Sequence, residues 1–104
     1  MSDQIRDRTE LARFELDLGA AVAFVDYVRR DAVLVLTHAE VPPQLAGRGA
    51  GTRLVVATLE EVRRRGERVV PRCPFIARFI ARNPSYADLV ASSDGAGPAT
   101  DGPL

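Results

Sequence analysis

The chain is 104 residues long, with fourteen basic and fourteen acidic residues, 46% apolar residues and one cysteine. That length makes one domain with a modest core. The balanced charge argues against nucleic acid or an anionic membrane as partner, and a lone cysteine forms no internal disulfide. No apolar run approaches the roughly 20 residues that span a bilayer. The polar start, Met1-Ser2-Asp3-Gln4, lacks the apolar segment of a secretion signal. The expectation is a cytoplasmic protein.

Residues 1–8 are mostly charged and are expected to fray. Over 9–18, Ala12, Phe14, Leu16 and Leu18 alternate with Leu11, Arg13, Glu15 and Asp17, which predicts a strand with one buried face. Gly19-Ala20 turns the chain into a second strand over 21–29, rich in Val22, Phe24, Val25, Tyr27 and Val28. Arg30-Asp31 leads to a third strand over 32–41, fed by Val33-Leu34-Val35-Leu36 and expected to be buried on both faces at its start. Three runs with short joints suggest an antiparallel meander. Pro42-Pro43 ends it, because proline lacks the ladder donor.

A helix follows over 52–65, with Val55, Leu59 and Val62 on its apolar side beside Leu54 and Thr58. Arg63-Arg64-Arg65 suits the negative end of the helix dipole, and Gly66 suits the residue beyond it. Residues 68–71 make a fourth strand, parallel to the third if the crossover is right-handed. Pro74 opens a second helix running to about residue 82, with Phe75, Ile76, Phe79 and Ile80 on its apolar side. Asn83-Pro84 interrupts it, and residues 86–90 add a further turn. Residues 92–104 are Gly, Pro, Ser, Ala and Asp with little to bury, and are expected to be a disordered tail.

Between the third strand and the first helix lies Leu45-Ala46-Gly47-Arg48-Gly49-Ala50-Gly51-Thr52-Arg53. Glycines let backbone N–H groups crowd a ligand and allow positive φ. A helix start directed at the same spot adds unpaired N–H groups and a partial positive charge, which together suit phosphate. A P-loop needs Lys-Ser/Thr after its last glycine, and this chain has no lysine at all. The dinucleotide pattern G-x-G-x-x-G also differs from the spacing Gly47, Gly49, Gly51. As a bare motif the loop is equally compatible with a structural turn.

The loop resembles the pyrophosphate loop of the Gcn5-related N-acetyltransferases, Gln/Arg-x-x-Gly-x-Gly/Ala, with Gly49 and Gly51 at the two small positions. Ala46 stands where that pattern has Gln or Arg. Two further runs extend the likeness over about residues 8–91. His38-Ala39-Glu40-Val41-Pro42 precedes the loop, and Val69-Val70-Pro71-Arg72-Cys73-Pro74-Phe75-Ile76 follows the helix, with Asn83-Pro84-Ser85-Tyr86 closing the pattern. All three are similar to motifs of the small, single-domain branch of that superfamily.

The resemblance implies an α/β (α+β) domain over residues 9–91, ordered β-β-β-α-β-α, with helices packed on a mixed twisted sheet. It lacks the extra helices and last strands with which larger members build an acceptor site. It also implies acetyl-CoA as co-substrate, no metal, and an amine acceptor, with a protein amine among the candidates. Acetyl would pass to the amine by direct attack on the thioester. Monomer and homodimer both stay open. Val41, Gly47, Arg48, Gly49, Ala50, Gly51 and Thr52 would hold the coenzyme.

For catalysis the resemblance points to His38, Glu40 and Cys73. An imidazole titrates near neutral pH and can take a proton from an ammonium group. Glu40, two residues on along a strand, faces the same side and can orient the ring or attract a cationic amine. The bland alternative is a strand-end histidine beside a solvated carboxylate. Cys73 starts a helix, where a thiolate is favoured. It would protonate the leaving thiolate, line the pocket or be acylated, and it is otherwise a small buried hydrophobe. Phe79 stands where a tyrosine acid is common in the small branch, leaving Tyr86 as acid or as packing. The rival function is a coenzyme A-binding module without catalysis.

Overall fold

The computed structural model describes residues 4–19 and 21–91. The expected fraying of residues 1–3 and the expected disordered tail over 92–104 lie outside the described residues.

The described chain forms β1 (Ile5–Arg8), β2 (Arg13–Asp17), β3 (Val22–Arg30), β4 (Val33–Glu40), α1 (Ala50–Arg64), β5 (Arg68–Pro71) and α2 (Pro74–Arg82), with short 3₁₀ turns at Thr9–Leu11, Pro43–Leu45 and Pro84–Leu89. The sheet order is β1-β2-β3-β4-β5. The first three pairings are antiparallel and β4–β5 is parallel. This is the expected mixed sheet with helices against it, plus one strand more.

That extra strand corrects the expectation of a frayed start. Ile5–Arg8 pairs with β2, placing Asp7 opposite Phe14 on the core side. A carboxylate there needs partners. Tyr27 Oη donates to Asp7 Oδ1 at 2.6 Å, and Arg65 Nη1 donates to Asp7 Oδ2 at 2.9 Å. The run expected as one strand over 9–18 is split, because Thr9–Leu11 turns and Ala12 takes a left-handed conformation (φ 53°).

Every fully buried strand side chain points to one face. Phe14, Leu16, Ala23, Val25, Leu34, Leu36 and Val69 form a single core with Leu54, Val55, Leu59 and Val62 of α1 and with Ile76 and Ile80 of α2. Both helices therefore cover the same side. Alternation along the strands sends Glu15, Phe24, Asp26 and Val28 to the other side, which no described element covers.

Candidate functional site

The site is built where β4 loses a neighbour. The β4–β5 ladder runs from Val33–Arg68 to Leu36–Pro71 and stops. There the backbone N–H groups of Arg72 and Cys73 both donate to the Leu36 carbonyl, at 3.0 and 2.9 Å. Two donors on one oxygen turn the chain out of the sheet and into α2, which Cys73 N-caps and Pro74 begins. β4 continues to Glu40 paired with β3 alone. Among the described residues its other edge, over residues 37–40, has no ladder partner, and the turn of the chain into α2 leaves a wedge beside it.

A bulge lies at the same point. Tyr27 pairs with Leu36 and Asp26 with His38, so Thr37 is the extra residue. Such an insertion bends the strand and re-aims its later side chains. Past the bulge Ala39, opposite Val25, keeps to the core side, and His38 and Glu40 point to the uncovered face. His38 Nε2 lies 3.1 Å from Glu40 Oε1, as the spacing of two predicts. The two side chains are 55% and 57% exposed, so the contact orients the ring more than it stabilises the fold. Phe24 flanks the imidazole, with ring centroids 6.2 Å apart. Arg13 lies over the Phe24 ring at 3.8 Å and pairs with Asp26 at 2.9 Å.

Cys73 does not join this pair. It is 5% exposed and belongs to the core cluster on the helix side. The three candidate catalytic residues are therefore divided by the sheet, with His38 and Glu40 on the open face and Cys73 behind the wedge.

The glycine stretch forms the third part. Pro42-Pro43 leads into a 3₁₀ turn anchored by buried Leu45, and Val41 packs against the core edge. Gly47 (φ 78°) and Gly49 (φ 72°) take left-handed conformations with open space around them. Gly49 N-caps α1, which starts at Ala50, two residues earlier than the spacing predicts. Arg53 makes the first helical bond, to the Gly49 carbonyl at 3.0 Å. The N–H groups of Ala50, Gly51 and Thr52 thus precede the ladder. Among the described residues no side chain caps them, and no acidic residue lies in the first turn. Exposed Arg48 and Thr52 border the same spot. This is the geometry of an anion site at a helix start.

Residues 13–89 match the GCN5-related N-acetyltransferase family. The chain belongs to that family. Among solved structures, the solution structure of a GCN5-like protein from Staphylococcus aureus superposes with a TM-score of 0.63 at 24% identity, covering 91% of this chain and 95% of that one. This likeness shows a shared fold. No match to a curated protein sequence was found.

The chain has two tyrosines, and both are committed elsewhere. Tyr27 is buried and bonded to Asp7. Tyr86 packs on Phe79, with ring centroids 5.9 Å apart, and donates to Glu60 of α1 at 2.7 Å. Burial, and then the Glu60 carboxylate, raise its phenol above the usual range. Tyr86 is thus a packing residue in this arrangement. Phe75, expected on the apolar side of α2, is not in the core but 40% exposed. Among the described residues no cluster of three or more metal-ligating side chains occurs, and no helix is long and apolar enough to cross a membrane.

Proposed function

We propose that this protein transfers acetyl from acetyl-CoA to an amine by direct attack on the thioester. The observation that carries the reading is the wedge, which opens beside an uncapped helix start able to hold a pyrophosphate. Backbone N–H groups from Gly47 to Thr52 bind the diphosphate, and Val41 lines the approach. The unpaired edge of β4 takes the amide-bearing arm of the coenzyme, and an N–H near its end stabilises the oxyanion.

His38, exposed on the far face and oriented by Glu40, takes a proton from the ammonium acceptor. The amine nitrogen then bonds to the carbonyl carbon as the C–S bond breaks, and the proton that the nitrogen sheds goes to the departing thiolate, so that the products are a neutral amide and the free thiol of coenzyme A. Cys73 lines the inner wall near the departing sulfur. The uncovered sheet face leaves room for a large acceptor, such as an amine carried on a protein. No metal takes part in this reading, which places the reaction in the cytoplasm.

The absence of a free tyrosine acid favours a second reading, a module that binds coenzyme A without turnover. Calorimetry with acetyl-CoA, followed by release of free thiol in the presence of amines, separates the two. Binding with release supports transfer, and binding without release supports the silent module. No heat at millimolar acetyl-CoA would remove both.

A further inference from the structure

Phe75 sits in the first turn of α2 and remains 40% exposed, although its helical neighbours Ile76 and Ile80 are buried. Scattered exposed apolar residues are ordinary, so exposure alone decides nothing. Its position is more informative. The ring lies against Gly51 of α1, and a Cβ built on Gly51 would stand 2.9 Å from Phe75 Cζ and 3.3 Å from Cε2. Gly51 is not among the glycines of positive φ. Its backbone needs no special freedom, at a helix position where alanine is intrinsically favoured. What the missing side chain provides is room for the ring.

Phe75 thereby bridges the two places that the proposed reaction uses. Two residues before it, the Cys73 N–H is fixed to the Leu36 carbonyl at the mouth of the wedge. At its far end the ring touches the first turn of α1, where the uncapped N–H groups lie. A ligand with its diphosphate on α1 and its thioester in the wedge must pass this ring.

We propose that Phe75 is the apolar wall of the cleft, against which the pantetheine arm of acyl-CoA packs, and that Gly51 exists to seat it. This rests on the reading of function above. The arm carries methylene and methyl groups that gain from an aromatic surface, whereas the charged diphosphate gains its binding from backbone N–H groups and little from the ring.

Calorimetry with two ligands tests it: coenzyme A, and its nucleotide half without pantetheine, 3′-phospho-ADP. Phe75→Ala is expected to weaken coenzyme A on the order of tenfold and leave 3′-phospho-ADP within about twofold. Phe75→Leu, which keeps an apolar side chain, should restore most of the loss. Gly51→Ala should push the ring aside, weakening coenzyme A as Phe75→Ala does, while the melting temperature stays within a few degrees. Equal weakening of both ligands, or of neither, would overturn the role of Phe75 alone. Failure of the unaltered protein to bind either ligand would overturn the functional reading and this inference with it.

Discussion

Residues 33–36 and 37–40 are successive halves of one strand, and they meet opposite surroundings. The first half is paired on both edges, by β3 and by β5, and sends Leu34 and Leu36 into the core at zero exposure. The second half is paired on one edge, follows a bulge, and sends His38 and Glu40 to solvent. The difference lies in what adjoins the strand: β5 turns away after Pro71, and the Leu36 carbonyl takes both turning N–H groups. Ordering the first half is repaid by burial. The second half keeps water-exposed backbone groups that a ligand can take over with little loss. One element thus holds the fold at one end and offers chemistry at the other.

The largest effect should come from breaking the first half. Leu36→Ala removes a fully buried side chain from the core it shares with Val69 and Ile76, and should cost about 2–5 kcal/mol. Urea unfolding should show a lower midpoint at an unchanged slope. A loss below about 1 kcal/mol would mean that this half is not the anchor described.

Next in size is a change in the second half that should leave stability alone. His38→Ala is expected to lower turnover on the order of a hundredfold, the typical yield of a positioned base. Its urea midpoint should stay within about 0.5 kcal/mol of the parent's. If turnover and stability fell together, the two halves would not be separable. Unchanged turnover would remove His38 from the chemistry.

Most of this division is readable in the sequence, and the parts that are not share a cause. Alternation identifies Phe14 and Leu16, and helical spacing identifies Leu54, Val55, Leu59 and Val62, because each pattern depends only on neighbours a few residues away. The unbroken run Val33-Leu34-Val35-Leu36 instead suggests burial on both faces, and the sheet corrects this by burying only Leu34 and Leu36. The spacing of two places His38 with Glu40, and the glycines mark the entry to the helix, although it starts at Ala50, two residues before the expected position. β1 escapes such a reading because Ile5–Arg8 is mostly charged, and the partner that admits Asp7, Arg65, lies 58 residues along the chain. The periodicity that correctly finds Ile76 and Ile80 also assigns Phe75 to the core. Nothing local says that the ring lies instead against a glycine of another helix. The separation of Cys73 from His38 needs the sheet itself, since it depends on which face each strand end presents.

The smallest predicted effect tests the network that admits β1 and adjoins the anchored half. Tyr27 pairs with Leu36 across the ladder, and its hydroxyl donates to Asp7. Burial first, then the Asp7 carboxylate, push its phenol from 10.0 up to about 12. The raised value fixes the sign. The unfolded phenol ionises near 10, while the folded one keeps its proton to about 12. Through that window the unfolded state binds fewer protons, so stability falls as pH rises. Below it the contribution is fully present. Tyr27→Phe removes the titrating group and about 1 kcal/mol of hydrogen bonding, and Arg65 still pairs with Asp7. Melting curves at neutral pH should therefore favour the parent protein, and the gap should close as pH climbs through the window. A gap that stays constant with pH would mean the Tyr27–Asp7 bond does not secure β1, and the anchored half would then rest on Leu34, Leu36 and Val69 without help from the N-terminal strand.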